Sequence, residues 1–510
     1  MTRGARIALS AVGGAMLGLA TPPIDFFAAA FVGEALFACA LFHDDAKPKR
    51  PWAAGALRGW LFGTAVNIAV LRFAPSTIVR FTDLPWGVAL LALVLLGMFQ
   101  GLRWLVCGWL TMQLRMRRVP GFLAFGIATW VSTFVPGVFA WTVASGLSPM
   151  RALVQLADVV GERGVSALIA IFCAFFAEAV YAAFARDRRR LLQYASIGAA
   201  IPLAMTIAGV LRIRAIEDAR KHAPHVRVAL AEPSTDARIR WEASAADDIM
   251  RRLTMLTIAA EQRGTDLVVW PEAAYPYTMS ATQKNDFVGP HAVLQPGVRG
   301  PVLTGVIMRA KDGELNAATI VDERGVAPAY AKMHLLAFGE EVPFSETFPA
   351  LRRAFVRGTG LVPGHHQVAL VSGRIRAAVL NCFEDTLPEA GLEAIGVDPN
   401  LLVNVTNDAW FVETQESELH LRVGAMRAIE LRRDLVRAVN EGVTSWVDAT
   451  GAVCARYVGP VAGTLPTTPA LLEGKTIYAR LGDWAGVLLL GLLAAATWLG
   501  ARQKQNGAPR

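Results

Sequence analysis

The chain has 510 residues, of which 54% are hydrophobic and only 18% are charged. Soluble globular proteins carry about 25% charged residues, so this composition excludes an ordinary soluble protein and favours a chain that enters a lipid bilayer. The formal net charge of +8 does not indicate a nucleic-acid-binding protein, because the basic residues lie beside apolar stretches and are not gathered in one soluble segment.

Long apolar stretches fill the first 212 residues and return near residue 484. A bilayer core of about 30 Å needs roughly 20 apolar residues in a helix. The first stretch is interpreted as a retained helix and not as a signal peptide, because Thr21-Pro22-Pro23 is not a small-x-small cleavage site and another apolar stretch follows at once. Eight membrane spans are predicted: residues 5–21, 24–42, 53–74, 85–112, 119–145, 164–185, 191–211 and 484–500.

Basic residues are concentrated in every second break between the predicted spans. Because cytoplasmic loops carry the excess of Lys and Arg, both termini are predicted to be cytoplasmic. The long segment after the seventh span then lies on the opposite side, which is the periplasm in a bacterium with two membranes. The predicted organisation is a seven-helix membrane domain (1–220), a periplasmic domain (221–470), and a C-terminal span with a cytoplasmic tail (471–510).

The segment between the seventh and eighth spans is predicted to be an α/β domain. Leu267 to Trp270 form a continuous apolar run, which is typical of a strand covered on both faces. Strands that alternate with helices indicate layers of helix on sheet. Helices are predicted over 245–263 and 416–431, and strands over 226–231, 266–270, 302–307, 317–322, 330–334, 375–381, 401–404 and 435–440.

Three reactive side chains lie at the ends of predicted strands: Glu272, Lys332 and Cys382. A thiol is mostly protonated at neutral pH and needs a base or a cation beside it to act as a nucleophile. Glu272 is a candidate for the base, and Lys332 for stabilising a thiolate and then an oxyanion, with the Phe383 N–H as a second donor. Spacing alone leaves other interpretations open: a core cysteine, surface charges, or a disulfide between Cys382 and Cys454.

The same residues resemble the Glu–Lys–Cys triad of the nitrilase, or carbon–nitrogen hydrolase, superfamily. More narrowly, the chain resembles its membrane-bound branch, the apolipoprotein N-acyltransferases. The segments that carry this resemblance are Lys332–Leu335 with Phe338–Pro343, Asn407–Phe411, His420, Arg427–Glu430, and Arg437 with Asn440 and Gly442. The stretch Val412–Glu418 departs from the family, which usually has a Gly-Pro pair there.

The resemblance implies a fold and a set of roles. The fold is an eight-helix polytopic α-helical membrane bundle that carries an α/β nitrilase-like αββα sandwich. Cys382 would be the nucleophile, Glu272 the general base and Lys332 the oxyanion stabiliser, with Glu340 and Glu384 as supporting acidic residues. Trp410 would line the acyl or lipid pocket, and the apolar segment that contains Phe338 and Phe344 is expected to lie over the site and dip toward lipid.

The implied reaction transfers an acyl chain from a phospholipid, through a Cys382 thioester, to the α-amine of a diacylglyceryl-modified apolipoprotein in the bacterial inner membrane. Two alternatives stay open: a membrane-tethered amidase or nitrilase that hydrolyses small amides, and a non-enzymatic lipid-binding paralogue. The sequence contains no recognised metal-ligand cluster, Gly-rich phosphate loop or nucleic-acid module, so neither cofactor nor metal is expected.

Overall fold

The computed structural model describes residues 1–42, 49–236, 238–240, 242–337, 339–341, 360–459, 461–491 and 493–494. The chain divides into two compact units, Met1–Val210 with Ile477–Arg510, and Leu211–Thr476. Helices make up the first unit: Arg3–Gly18 (α1), Ala28–Leu41 (α2), Pro51–Val70 (α3), Ala74–Phe81 (α4), Trp86–Gln100 (α5), Leu102–Met116 (α6), Gly121–Ser132 (α7), Val143–Gly146 (α8), Arg151–Val154 (α9), Ala157–Phe184 (α10), the first part of Arg188–His222 (α11), and Ile477–Leu481.

Among the described residues, three helical stretches are long and apolar enough to cross a membrane: Trp86–Met116, Ala157–Phe184 and Arg188–His222. The pair α3 and α4, bent by 57°, forms a fourth candidate. The eight predicted spans are therefore represented by three or four helices of sufficient length, with shorter apolar helices at α2 and α7. The helix predicted over 119–145 ends at Ser132, and Pro136, which cannot donate to a helical ladder, follows in non-helical backbone. The eighth predicted span lies only partly within the described residues.

Apolar side chains cover the outer surface of the helical unit. Leu91 on α5 is 57% exposed and Leu203 on α11 is 60% exposed. Soluble proteins rarely leave large contiguous apolar surfaces in water. This surface is typical of helices that contact lipid.

Three arginines meet at the carboxyl end of α2. Arg6 and Arg58 donate to the carbonyl oxygen of Ala40 at 3.2 and 3.1 Å, and Arg115 donates to that of Leu41 at 3.1 Å. The last carbonyl groups of a helix lack intrahelical partners and carry partial negative charge, so guanidinium groups stabilise them. The arginines thus tie α1, α3 and α6 to one end of α2.

The second unit contains two β-sheets. Their strands are Val228–Glu232 (β1), Leu267–Val269 (β2), Thr278–Ser280 (β3), Val302–Arg309 (β4), Glu314–Asp322 (β5), Gly325–Val326 (β6), Tyr330–Ala331 (β7), Ala369–Ser372 (β8), Ile375–Asn381 (β9), Leu401–Asn407 (β10), Leu435–Asn440 (β11), Thr444–Val447 (β12), Val453–Tyr457 (β13) and Gly463–Thr467 (β14). The first sheet has the order β14-β1-β2-β4-β5-β6, with β3 paired to β4 and β7 to β5. The second has the order β13-β12-β11-β10-β9-β8.

The two sheets enclose an apolar core, and helices cover their outer faces. Val269 and Ile320 of the first sheet share this core with Val379 and Val403 of the second. Helix Ala246–Glu261 (α12) packs on the outer face of the first sheet through Leu253 and its neighbours. Helices Pro388–Ala394 (α13) and Glu416–Leu431 (α14) adjoin the second sheet. This layered arrangement confirms the predicted α/β domain of helices packed on sheets.

Candidate active site

Glu272, Lys332 and Cys382 follow strands of two different sheets. Glu272 lies in the turn after β2, and Lys332 comes directly after β7, both in the first sheet. Cys382 comes directly after β9 in the second sheet. The side chains meet because the two sheets pack face to face, so the site lies where strand ends of both layers converge.

A buried ammonium group lies between two carboxylates. Lys332 Nζ is 2.7 Å from Glu340 Oε2 and 3.4 Å from Glu272 Oε1. The Lys332 side chain is 1% exposed, so water screens these charges little. Its Nζ also lies 5.3 Å from the centroid of the Phe383 ring. The structure therefore brings Glu340, predicted as a supporting acid, into direct contact with Lys332.

The electrostatics of the cluster shift the pKa values of the two carboxylates, Glu272 and Glu340, in opposite directions. Burial raises the pKa of Glu272, and the nearby Glu340 raises it further, against the lowering effect of Lys332. Burial also opposes ionisation of Glu340, but the charge of Lys332 and hydrogen bonds from Lys332, the Leu336 N–H and Asn316 together hold the pKa of Glu340 below its usual value. Burial alone would lower the pKa of Lys332, yet Glu340 and Glu272 raise it. The most stable ion pair is therefore Lys332 with Glu340, and Glu272 is the carboxylate more ready to take a proton.

Cys382 and Glu272 lie close enough for the charge of one to affect the ionisation of the other. Burial raises the pKa of Cys382 well above the ordinary value, and the charge of Glu272 adds to this effect, while Lys332 opposes it. The resting nucleophile is consequently a neutral thiol beside its base. The backbone of Cys382 has φ of +55°, in the left-handed region that non-glycine residues rarely adopt. Such backbone strain is common at reactive residues on sharp strand-to-helix turns.

Asn316, on β5, connects the acidic residues of the site. Its Nδ2 donates to Glu272 Oε1 at 2.7 Å and to Glu340 Oε1 at 2.8 Å. Its Oδ1 accepts from Asn381 Nδ2 at 3.0 Å, and its carbonyl oxygen accepts from the Lys332 N–H at 2.8 Å. No sequence motif marks Asn316, although a polar residue beside a buried apolar run is a usable signal.

Glu384 holds the two strand ends together. Its Oε1 accepts from the N–H groups of Met333 and His334 at 2.8 and 3.0 Å. Its Oε2 accepts from the Asn381 N–H and from the Tyr330 hydroxyl, both at 2.7 Å. Burial raises the pKa of Glu384. Glu384, predicted as a supporting acid, therefore connects the residues on either side of Lys332 to the turn that contains Cys382.

A second buried charge cluster lies behind the Cys382 turn. Asp385 pairs with Arg437 and accepts from His420 Nε2 at 2.9 Å, while His420 Nδ1 lies 3.2 Å from Asp408 Oδ1. Burial would lower the pKa of His420, but Asp385 and Asp408 raise it to about 10. The side-chain ligand atoms of Asp408, His420 and Glu416 lie within 4.8 Å of one another. Since the imidazolium already supplies the cation, we interpret the cluster as a buried ion pair that braces the turn.

The remaining predicted site residues have less defined surroundings. Trp410 is partly buried in the short turn Ala409–Phe411 that follows β10. Phe338 and Phe344, in the apolar segment expected to lie over the site, lie outside the described residues. Cys382 and Cys454 are both free thiols, and the alternative of a disulfide between them was wrong.

Family models match both parts of the chain. Residues 13–175 match the apolipoprotein N-acyltransferase N-terminal domain, and residues 227–465 match carbon–nitrogen hydrolase. Among solved structures, the chain resembles an amidase from Nesterenkonia sp. AN1 (15% identity, 51% of this chain, 98% of that chain, TM-score 0.36). It also resembles a carbon–nitrogen hydrolase from Helicobacter pylori (16% identity, 48% of this chain, 89% of that chain, TM-score 0.36).

Curated relatives align over most of their length. The apolipoprotein N-acyltransferase of Brucella melitensis is 29% identical over 547 residues, covering 98% of this chain and 96% of the relative. That of Geobacter metallireducens is 30% identical over 459 residues, covering 86% of each chain. Identity at this level over nearly the whole of both chains shows that this chain belongs to the apolipoprotein N-acyltransferase family.

Proposed function

We propose that this protein transfers an acyl chain from a phospholipid to the α-amine of a diacylglyceryl-modified cysteine in apolipoproteins, through a thioester on Cys382. The observation that carries the proposal is the buried Lys332 ammonium between Glu272 and Glu340, with the Cys382 thiol close enough to be influenced by the charges of Glu272 and Lys332. Base, cation and nucleophile in one cluster are what thiol-mediated acyl transfer needs.

In the first step, Glu272 takes the thiol proton while the sulfur attacks the ester carbonyl of the phospholipid. The raised pKa of the thiol argues that this proton leaves during the attack and not before it. Lys332 stabilises the oxyanion of the tetrahedral intermediate, and the Phe383 N–H is the proposed second donor. When the carbon–oxygen bond breaks, Glu272 returns the proton to the glycerol oxygen, and the lysophospholipid leaves.

In the second step, the lipoprotein amine attacks the thioester carbonyl. Glu272 accepts a proton from the amine, and Lys332 again stabilises the oxyanion. The carbon–sulfur bond then breaks, the amide forms, and the sulfur regains its proton from Glu272. One carboxyl group therefore serves as base and acid in turn, which suits a residue with a raised pKa.

Both proposed substrates are anchored in lipid, since each buried methylene contributes about 0.8 kcal/mol to membrane binding. We extend the proposal to an inner-membrane protein with eight spans, cytoplasmic termini and a periplasmic α/β domain, bounded as 1–220, 221–470 and 471–510. The apolar helices and the exposed apolar surface of the first unit support membrane insertion. Trp410, Phe338 and Phe344 are proposed to contact the acyl chain.

Intact mass spectrometry of the full chain in detergent, mixed with phospholipid, tests the first step. The wild type should gain the mass of one acyl group, and Cys382→Ala should not. Cys454→Ala is the matched control, because Cys454 is also a free thiol but is exposed on β13. Absence of an adduct on the wild type, or persistence of the adduct in Cys382→Ala, would refute the proposal.

A further inference from the structure

We propose that Asn316 is a positioning residue that decides which oxygen of Glu272 receives the Cys382 proton and that keeps Glu272 in the role of base. The inference rests on the proposed function, which it deepens by assigning a task to a residue that touches neither sulfur nor substrate. Four observations carry it: the amide contacts, the occupancy of Glu272 Oε1, the proximity of two carboxylates, and the fixed orientation of the amide.

The Asn316 amide distributes its two hydrogens between two carboxylates. Nδ2 lies 2.7 Å from Glu272 Oε1 and 2.8 Å from Glu340 Oε1. An amide nitrogen has two N–H donors, so each carboxylate takes one and neither is left over for water or substrate. A hydroxyl or a shorter side chain at this position would serve at most one of the two carboxylates.

This contact leaves Glu272 with one available oxygen. Oε1 accepts from Asn316 and also lies 3.4 Å from Lys332 Nζ. With both donors on Oε1, Oε2 remains for the proton of the Cys382 thiol. The oxygen that accepts the proton is thereby fixed as Oε2. In a glutamate without these contacts the carboxylate could rotate about its last torsion angle, and either oxygen could face the thiol.

The same contacts offset the repulsion between Glu272 and Glu340. Like charges that share a site raise the pKa of one member strongly. Lys332 stabilises the charge of Glu340 more than that of Glu272, because its Nζ lies 2.7 Å from Glu340 but 3.4 Å from Glu272. Without the Asn316 donor, Glu272 would take up a proton more readily and would be unable to accept one from the thiol.

The orientation of the amide is itself held by the protein. Asn381 Nδ2 donates to Asn316 Oδ1 at 3.0 Å, which directs the nitrogen toward the carboxylates. Asn316 is 4% exposed and is paired with Ile307 in the antiparallel ladder of β4 and β5. Its carbonyl oxygen also accepts from the Lys332 N–H at 2.8 Å. One residue therefore contacts the base, the supporting acid, the lysine backbone and the residue before the nucleophile.

The test is the pH profile of Cys382 reactivity in Asn316→Leu, a substitution that keeps the branching of the side chain and removes its hydrogen-bond donors. Alkylation of Cys382 by iodoacetamide, followed by peptide mass spectrometry, reports thiol activation without any phospholipid. Loss of a hydrogen bond to a charged group should move the acidic limb of the profile upward by about one to two pH units. Thioester formation from phospholipid should show the same displacement, and at high pH both rates should approach those of the wild type.

Two further variants separate positioning from folding. Asn400→Leu makes the same change at an asparagine that bonds the backbone of Arg374 and Arg376, and its profile should match the wild type. Asn381→Ala removes the group that orients the Asn316 amide and should shift the limb in the same direction by a smaller amount. If thermal melting shows that Asn316→Leu does not fold, the pH profile of Asn381→Ala provides the test instead.

The outcomes distinguish this inference from the proposed function. A rate lowered equally at every pH in Asn316→Leu, or an unshifted limb in Asn381→Ala when the first variant does not fold, would overturn the positioning role while acyl transfer stood. A wild type that is alkylated with the expected profile but forms no acyl adduct would refute the proposed function, and the shift in alkylation would still support the role of Asn316.

Discussion

The Tyr330 hydroxyl donates to Glu384 Oε2 at 2.7 Å and so links the two sheets beside the reactive cysteine. Tyr330 lies on β7 of the first sheet, and Glu384 follows β9 of the second. The hydroxyl and the carboxylate are both buried, so their bond is not weakened by competition with water. The relative position of Lys332 and Cys382 depends on this link and on the neighbouring bonds to Glu384.

Glu384→Gln should destabilise the protein and slow the first step. Four donors converge on the Glu384 carboxylate, and an amide nitrogen in place of one oxygen would face donors instead of accepting from them. Buried donors without acceptors cost about 1–3 kcal/mol each. Thermal unfolding and the rate of thioester formation measure the two effects. Tyr330→Phe, which removes one donor and keeps the carboxylate, should lower the free energy of unfolding by only about 1 kcal/mol. Equal melting temperatures of Glu384→Gln and the wild type would contradict the proposed role of Glu384 in holding the two strand ends together.

Gly305→Ala should reduce activity by displacing Glu272. A Cβ at Gly305 would lie 2.4 Å from the carbonyl oxygen of Pro271 and 2.5 Å from the nitrogen of Ala273, so the backbone on both sides of Glu272 must move. A misplacement of about 1 Å at a catalytic group can cost roughly 100-fold in rate. Thioester formation measures the loss. Gly396→Ala is the control, because its Cβ would meet nothing within 4 Å; similar rates for the two variants would be inconsistent with the packing described.

Glu232→Gln should stabilise the protein at alkaline pH. Burial raises the pKa of Glu232 to about 8, although it accepts from the N–H groups of Ser234 and Glu441. A carboxyl group whose folded-state pKa is raised contributes stability that is fully present below the unfolded pKa and is lost as pH rises toward 8. Between pH 6 and pH 9 the wild type should lose about 2–3 kcal/mol that the neutral glutamine retains.

Unfolding curves at the two pH values check this prediction. Glutamine can accept from both N–H groups and donate to Thr444 Oγ1, which lies 3.4 Å from Glu232 Oε2, so the contacts survive the change. A stability difference between variant and wild type that does not change with pH would show that Glu232 is already ionised in the folded protein.

The sequence predicted the interior strands well because their side chains form uninterrupted apolar runs. The strand predicted over 375–381 has those bounds in the structure, and so does the helix predicted over 416–431. Edge strands were not predicted, and neither was β12, which lies beside the edge strand β13. β13 has no buried residue in its pattern, and β14, at the edge of the first sheet, contains Pro466, which weakens any sequence signal for a strand.

The candidate site was predictable where reactive residues end apolar runs. Glu272, Lys332 and Cys382 all follow strands, and the structure brings them together. Asn316 was not predicted, because the strand was expected to begin at residue 317 and nothing local marks the partners of a buried amide. Those partners come from positions 272, 340 and 381, and only the packing of two sheets makes them neighbours.

The nucleophile and its base belong to opposite layers of the sandwich, and this has a consequence for engineering. Small volume changes among the apolar residues between the layers, such as Val269 and Val379, would slide one sheet over the other and alter the reaction geometry without touching a polar group. Variant libraries intended to change the acyl donor or acceptor can therefore include the apolar residues between the two sheets as well as the residues around the active site.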